Sequence, residues 1–432
     1  MNRTRTLTLL MAFILMFSVF SVACGDSKKS DTSSVNESSS EDSSSEESSS
    51  EVTGENPSSE ESSALSTSSA SSAKAASKAA SKAASKAASK AASKASSTTS
   101  SKLPDAKLDG VGKFWLMPRN DQIYNMFTNL DQWKELQKVV DVVGFADHEI
   151  NRLTGGQLED AFEGMRKAGI PLALEVGAIK EWGMAEGGKG VYGKAMFETE
   201  DLMWSKFVEM GADFRAVAFD EPYVNVMNHS AWNYLGNGTQ KIEFAVEQTA
   251  EYIKLIRQKY PKLLIGDIET YPSMSPKQNA DWINALNARL KAKGVKTLDF
   301  YRLDFDWNHI PVSPSGVIND TDAAYHWGRV KEIEDNCKKI GLPFSMVYWP
   351  ARENLFNTSQ SDVYNDKAWY DMLMMQGSEY KKYGGNPDQY VVQTWAKIGA
   401  AKKPMPPTTI PETKQYTFMN GSLEFYNKFV KK

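Results

Sequence analysis

Histidine and cysteine are the scarce residues of this 432-residue chain, with four of the first and two of the second. Cys24 and Cys337 are too few to make a disulfide framework, and Cys337 falls in an amphipathic helical pattern, where a thiol is expected to be buried and inert. His148, His229, His309 and His326 form neither H-x-H nor H-E-x-x-H spacing, which speaks against a histidine-bound metal. No strand-like run is followed by G-x-G-x-x-G or by a P-loop, so neither a dinucleotide site nor a nucleotide-phosphate site is expected. A formal net charge of −4 gives no reason to expect nucleic-acid binding.

Large apolar residues are nearly absent between Asp26 and Lys102. Such a stretch cannot bury enough surface to offset the entropy of ordering, so residues 24–102 read as a tether. Its first half is acidic and serine-rich. Its second half repeats Ala-Ala-Ser-Lys and places Lys74, Lys78, Lys82, Lys86, Lys90 and Lys94 at every fourth position. Alanine favours helix there and like charges at i,i+4 oppose it. As a flexible coil the tether would reach roughly 50 Å. It is expected to act as a spacer, with contact between the lysine repeat and anionic wall polymer as the alternative.

The chain opens with Arg3 and Arg5, an apolar run from Leu7 to Phe20, and then Ser21-Val-Ala-Cys-Gly25. A basic start, a short apolar core and small residues before a cut form the layout of a secretory signal. Cys24 directly after Val22-Ala23 resembles the bacterial lipoprotein lipobox, although Ser21 stands where that motif usually has leucine. The resemblance implies removal of residues 1–23, lipid on Cys24, and a protein anchored to the cell membrane outside the cytoplasm. An uncleaved membrane helix is the other reading of the same run.

From residue 103 to 432 the chain becomes apolar, aromatic-rich and punctuated by glycine and proline. Strand-like runs start near Lys113, Val140, Pro171, Arg215, Lys262, Thr297, Pro343 and Gln389, separated by helical patterns such as Ile242 to Tyr260. Glycine ends several helices, as in Ala168-Gly169 before Pro171 and Ile340-Gly341 before Pro343. Eight βα units in this length predict a TIM (β/α)8 barrel, with a doubly wound open sheet as the runner-up. The segment after Trp395 is too rich in proline for a regular last helix, so a shorter helix over Leu423 to Val430 is expected to close the barrel.

A TIM barrel places its active site at the C-terminal ends of its strands. Those ends carry Asp147-His148-Glu149, Glu175, Asp220-Glu221, Asp267 and Glu269, then Arg302, Asp304 and Asp306. Strands seven and eight end in Tyr348-Trp349 and Gln393-Thr394-Trp395. Each acid alone could cap a helix or pair with an arginine such as Arg302 or Arg352. A whole series of them, one strand end after another, is not how a barrel is filled for stability. Trp115, Tyr271, Trp307, Tyr348, Trp349 and Trp395 lie at or near the same ends, where aromatic faces suit the C–H faces of sugars or close the barrel mouth as core.

Asp220-Glu221-Pro222 after strand four resembles the Asn-Glu-Pro acid/base step of the large clan of retaining glycoside hydrolases, with aspartate in place of asparagine. Trp395 is similarly placed to that clan's aromatic sugar platform. The resemblance implies a glycosidase in which Glu221 is the acid, assisted by Asp220. It departs at strand seven, where the clan has a nucleophilic glutamate and this chain reads Val-Tyr-Trp-Pro-Ala-Arg, with Glu353 deep in the following loop. The second carboxylate is therefore expected from strand five or six, as Glu269 ahead of Asp304. Neighbouring strands would give a short carboxyl separation and a retaining outcome. His148, Glu175, Arg302, Asp306, Gln393 and the aromatic residues are expected to bind an oligo- or polysaccharide, with no cofactor and no metal.

Two other classes fit the same residues. His148, Glu175, Glu221, Asp267 and Asp304 could converge on Mg²⁺ or Mn²⁺, since carboxylate sites for these ions need no histidine. A barrel lacking the strand-seven glutamate could instead be a non-catalytic glycan-binding surface lipoprotein.

Overall fold

The computed structural model describes residues 110–177, 193–305, 320–349, 366–394, 406 and 408–431. All of them belong to the unit Thr98–Lys432. Cys24, the tether, and Asp306, Trp307, Arg352, Glu353 and Trp395 lie outside the described residues.

The eight strands are β1 (Phe114–Met117), β2 (Val142–Ala146), β3 (Leu172–Val176) and β4 (Phe214–Asp220), then β5 (Leu264–Tyr271), β6 (Phe300–Phe305), β7 (Phe344–Tyr348) and β8 (Gln389–Gln393). They pair in sequence order, all parallel, and β1 pairs with β8 to close the barrel. This is the (β/α)8 fold expected from the alternation of apolar runs and helical patterns. Helices fill the connections because their starts are well capped. Thr154 with Gln157, Asn237 with Gln240, and Ser275 with Gln278 each form a reciprocal capping box. The expected helix over Ile242 to Tyr260 is Gly238–Lys259. The closing helix starts earlier than its apolar pattern suggested, at Phe418–Phe425, and runs into a π turn at Tyr426–Val430. No helix among the described residues is long and apolar enough to cross a membrane.

Strand alternation decides which residues see the barrel interior. Register fixes one set: Ala218 opposite Gly266, Asp220 opposite Ile268, Ile268 opposite Arg302, and Arg302 opposite Ser345. Gly266 belongs to this inner set because Phe300 lies against it. A Cβ there would stand 2.0 Å from the Phe300 ring. Arg302 is fully buried, donating to Ser345 Oγ at 3.1 Å and Gln389 Oε1 at 2.9 Å, with its guanidinium 4.6 Å from the Trp115 ring. Burial lowers the Arg302 pKa to about 10, and the charge of Glu175 works the other way. The group stays cationic at neutral pH.

The alternate residues face the helices, and this corrects several expectations. Tyr271 is 1% exposed, stacks on Phe305 and bonds His326 Nδ1 at 2.8 Å, so it is packed between sheet and helix. Tyr348 is 1% exposed, stacked on Tyr390 and packed against Phe425. Trp115 points inward but lies on the barrel floor, against Phe300 and Arg302. All three are core residues, because a ring on a strand buried on both faces has no route to solvent.

Candidate functional site

Glu221 is the point where β4 becomes a helix without a loop. Its backbone has φ 54° and ψ 46°, the left-handed region that a non-glycine side chain rarely occupies. Pro222 is the first residue of the helix Pro222–Asn228, and a proline disfavours the right-handed helical conformation in the residue before it. That leaves extended backbone open, which Ser275 adopts before Pro276 with φ −73° and ψ 159°, whereas Glu221 takes the left-handed well at a cost of about 1–2 kcal/mol. Strain of this kind persists where surrounding contacts hold it, and it gathers at functional sites.

Three consecutive residues of β5 supply those contacts. The Glu221 N–H donates to the Ile268 carbonyl at 2.8 Å. The Glu269 carboxylate accepts from the Tyr223 N–H at 2.6 Å and the Val224 N–H at 3.2 Å, at the first turn of the following helix. The Thr270 hydroxyl donates to Glu221 Oε1. Thr270 in turn pairs in register with Asp304 on β6, and Trp349, just beyond β7, donates its indole N–H to Asp304 Oδ1. Glu221, Thr270, Asp304 and Trp349 thus follow one another around the C-terminal rim of the barrel.

Glu175 faces inward on β3, flanked in register by Ala146 and Ala218. Gln393 at the end of β8 approaches Glu175 Oε2 at 3.4 Å. Asp220 shares the inward parity of Arg302 through Ile268. Of the residues singled out from sequence, the structure gathers Glu175, Asp220, Glu221, Asp304, Trp349 and Gln393 at the mouth, above Arg302. Thr270 was missed, since a lone hydroxyl in an apolar strand carries no signal of its own.

Glu269 is not part of this group. It is fully buried on the outer face of β5 and spends both oxygens on backbone N–H groups. The expectation that it partners Glu221 in catalysis gives way to a structural role. Asp267 shares that outer face, also fully buried, with Oδ2 accepting from the Trp282 indole at 2.7 Å and Oδ1 without a partner. Asp267 therefore cannot converge with Glu175, Glu221 and Asp304 on one metal ion. Burial raises both carboxyl pKa values, and the charge of Asp267 raises that of Glu269 further. No cluster of three or more metal-ligating side chains occurs among the described residues.

His148 lies on the short helix Asp147–Ile150 that directly follows β2, with its side chain 46% exposed. Its ring nitrogens are 3.6 Å from Asp147 and 3.5 Å from Glu149. Desolvation opposes protonation of the ring, but the neighbouring carboxylates of Asp147 and Glu149 outweigh it and push its pKa to about 10. Asp147 itself turns outward to the Trp204 indole at 3.0 Å.

The fold and rim define a (β/α)8 barrel with an acidic mouth. No family model matches the sequence, and no curated protein matches it. Solved structures that resemble it include D-psicose 3-epimerase with D-tagatose from Clostridium cellulolyticum H10, at 9% identity over 73% of this chain and 97% of that one, TM-score 0.39. A mutant O-GlcNAc hydrolase from Thermobaculum terrenum aligns at 12% identity over 75% of this chain and 60% of that one, TM-score 0.39. A β-glucosidase from Thermotoga maritima aligns at 12% identity over 63% of this chain and 77% of that one, TM-score 0.36. Glycoside hydrolases are thus among the structural neighbours, alongside epimerases and aldolases. At these levels the likeness extends to the barrel alone and assigns no residue a role.

Proposed function

We propose that the barrel is a glycoside hydrolase acting on an oligo- or polysaccharide, held outside the cytoplasm by lipid on Cys24. Glu221 is the proton donor to the leaving oxygen, and Asp304 is the ionised partner that activates water or attacks the sugar. Glycosidic cleavage requires such a pair of carboxyl groups flanking the bond. The observation that carries this reading is the succession Glu221, Thr270, Asp304, in which the Thr270 hydroxyl ties the strained glutamate to β5 and Thr270 pairs in register with the second acid on β6.

The remaining rim residues suit the same chemistry. The Trp349 indole N–H donates to one oxygen of Asp304 and holds the carboxylate at the rim. Gln393 and Glu175 offer an amide and a carboxylate to sugar hydroxyls. Asp220, next to Glu221 in sequence, adds negative charge where a positively charged oxocarbenium-like transition state develops.

The test is to incubate the purified chain, expressed without residues 1–23, with a panel of plant and microbial polysaccharides and to assay new reducing ends. Glu221→Gln runs alongside. Release that vanishes in the variant is the expected result. Binding without release in both proteins would replace the hydrolase with a glycan-binding protein, and release that needs added Mg²⁺ or Mn²⁺ after chelation would point to metal-assisted chemistry.

A further inference from the structure

We infer that Thr270 is a positioning residue for Glu221, one that fixes which of its oxygens carries the transferable proton and how far that oxygen stands from Asp304. The inference rests on the hydrolase reading for its kinetic consequence, but its geometric content stands apart from it.

The backbone of Glu221 is held on both sides, with its carbonyl accepting from the Asn225 N–H at 3.0 Å. Its N–H is tied to Ile268, and the turn after it is tied to Glu269. These contacts hold the backbone and leave the side-chain torsions unset. The Thr270 hydroxyl acts on the side chain itself, by donating to Oε1. An oxygen that accepts a hydroxyl proton is the poorer site for a proton of its own, so the acid proton is directed to Oε2. Thr270 is only 4% exposed, so water does not readily replace the hydroxyl if it is removed.

Thr270 also sets a distance. It and Asp304 face each other on adjacent parallel strands, whose backbones run about 4.8 Å apart. Anchoring Glu221 to Thr270 therefore anchors it relative to Asp304. Glu269 cannot do this, because alternation sends its side chain to the helix layer. Adjacent residues of β5 thus hold Glu221 from two sides, one through the backbone that follows it and one through its carboxylate.

Valine reproduces the shape of threonine without the donor, and serine restores the donor with less bulk. The experiment compares wild type, Thr270→Val and Thr270→Ser in the full chain. Carboxyl labelling with carbodiimide and an amine is read by peptide mass spectrometry, and kcat and KM are measured where a substrate is found. The expected result is a severalfold faster labelling of Glu221 in Thr270→Val, unchanged labelling of the peptide carrying Asp267 and Glu269, and recovery in Thr270→Ser. With turnover, kcat should fall about 10–100-fold in the valine variant with KM within about twofold, and serine should restore most of it. Unchanged Glu221 labelling overturns the inference. So does faster labelling of Asp267 and Glu269 alongside Glu221, which would mean that the valine variant simply loosens β5. If wild type releases no reducing ends, the hydrolase reading fails while the labelling still decides whether Thr270 positions Glu221.

Discussion

Thr270 and Asp304 face each other across β5 and β6, and the hydroxyl of the first is bonded to Glu221. This pairing replaces the one suggested by strand order, in which Glu269 stood beside Glu221 on a neighbouring strand. Laid end to end, one strand spacing and one hydrogen bond would put the Glu221 and Asp304 carboxyl groups up to about 7–8 Å apart. That is the range in which a water fits between sugar and base, rather than the shorter gap of a covalent mechanism. The first product is expected to have the inverted anomeric configuration, as followed by proton NMR before mutarotation. Asp304→Asn should lower turnover about 10²–10⁴-fold. A retained configuration would mean that a closer carboxylate, not Asp304, is the partner.

The acid pair on the outer face of β5 should make stability depend on pH. Burial pushes Asp267 up to about 7, whereas the unfolded chain ionises it near its ordinary value of about 3.9. Between these values the folded state holds a proton that the unfolded state has released. The contribution is therefore full below about pH 4, declines as pH rises toward 7, and stays lost above it. Glu269, also raised, acts in the same direction. Asp267→Asn should flatten this profile and gain about 1–2 kcal/mol over wild type at pH 8 but not at pH 4, measured by urea unfolding. The gain is moderated because the new amide N–H₂ has no partner where Oδ1 had none.

Gly266 tests the packing beneath the site. An added methyl would meet the Phe300 ring at 2.0 Å, and that ring packs against both Trp115 and the Arg302 guanidinium. Gly266→Ala should destabilise the barrel by about 1–3 kcal/mol in urea unfolding, because the ring must leave its place on the floor. Gly294 offers the control for added bulk, since nothing stands within 4 Å of a Cβ there, although its φ of 68° adds backbone strain of its own.

The barrel was legible because most strands are short apolar runs closed by a proline, glycine or acid, and helices such as Gly155–Ala168, Gly238–Lys259 and Pro276–Ala292 start at a capping residue. The acids of the mouth were legible as a set for the same reason. What could not be read was direction. In a parallel barrel both faces of a strand are buried, so the run Gly266-Asp267-Ile268-Glu269-Thr270 gives no sign of which alternate residues look inward. Carboxylates drew attention to Asp267 and Glu269, and the modest hydroxyl between Glu269 and Tyr271 was passed over. Trp115, Tyr271 and Tyr348 misled in the same way, being aromatic residues at strand ends that serve as packing. The sign that could have settled β5 was Gly266. A glycine amid bulky neighbours marks the side where another ring must pass, and its parity is that of Thr270.

The alternation along β5 also bears on how this protein can change over time. Substitutions at single positions of the strand alter one contact each. Deleting or inserting one residue would exchange the two sets wholesale, turning Asp267 and Glu269 into the barrel and Thr270 toward the helices. In a library of single-codon changes, β5 should therefore tolerate length variants even less than it tolerates replacements, a pattern opposite to that of exposed loops. Lineages descended from this chain would then vary in what the strand carries and keep its count of residues fixed.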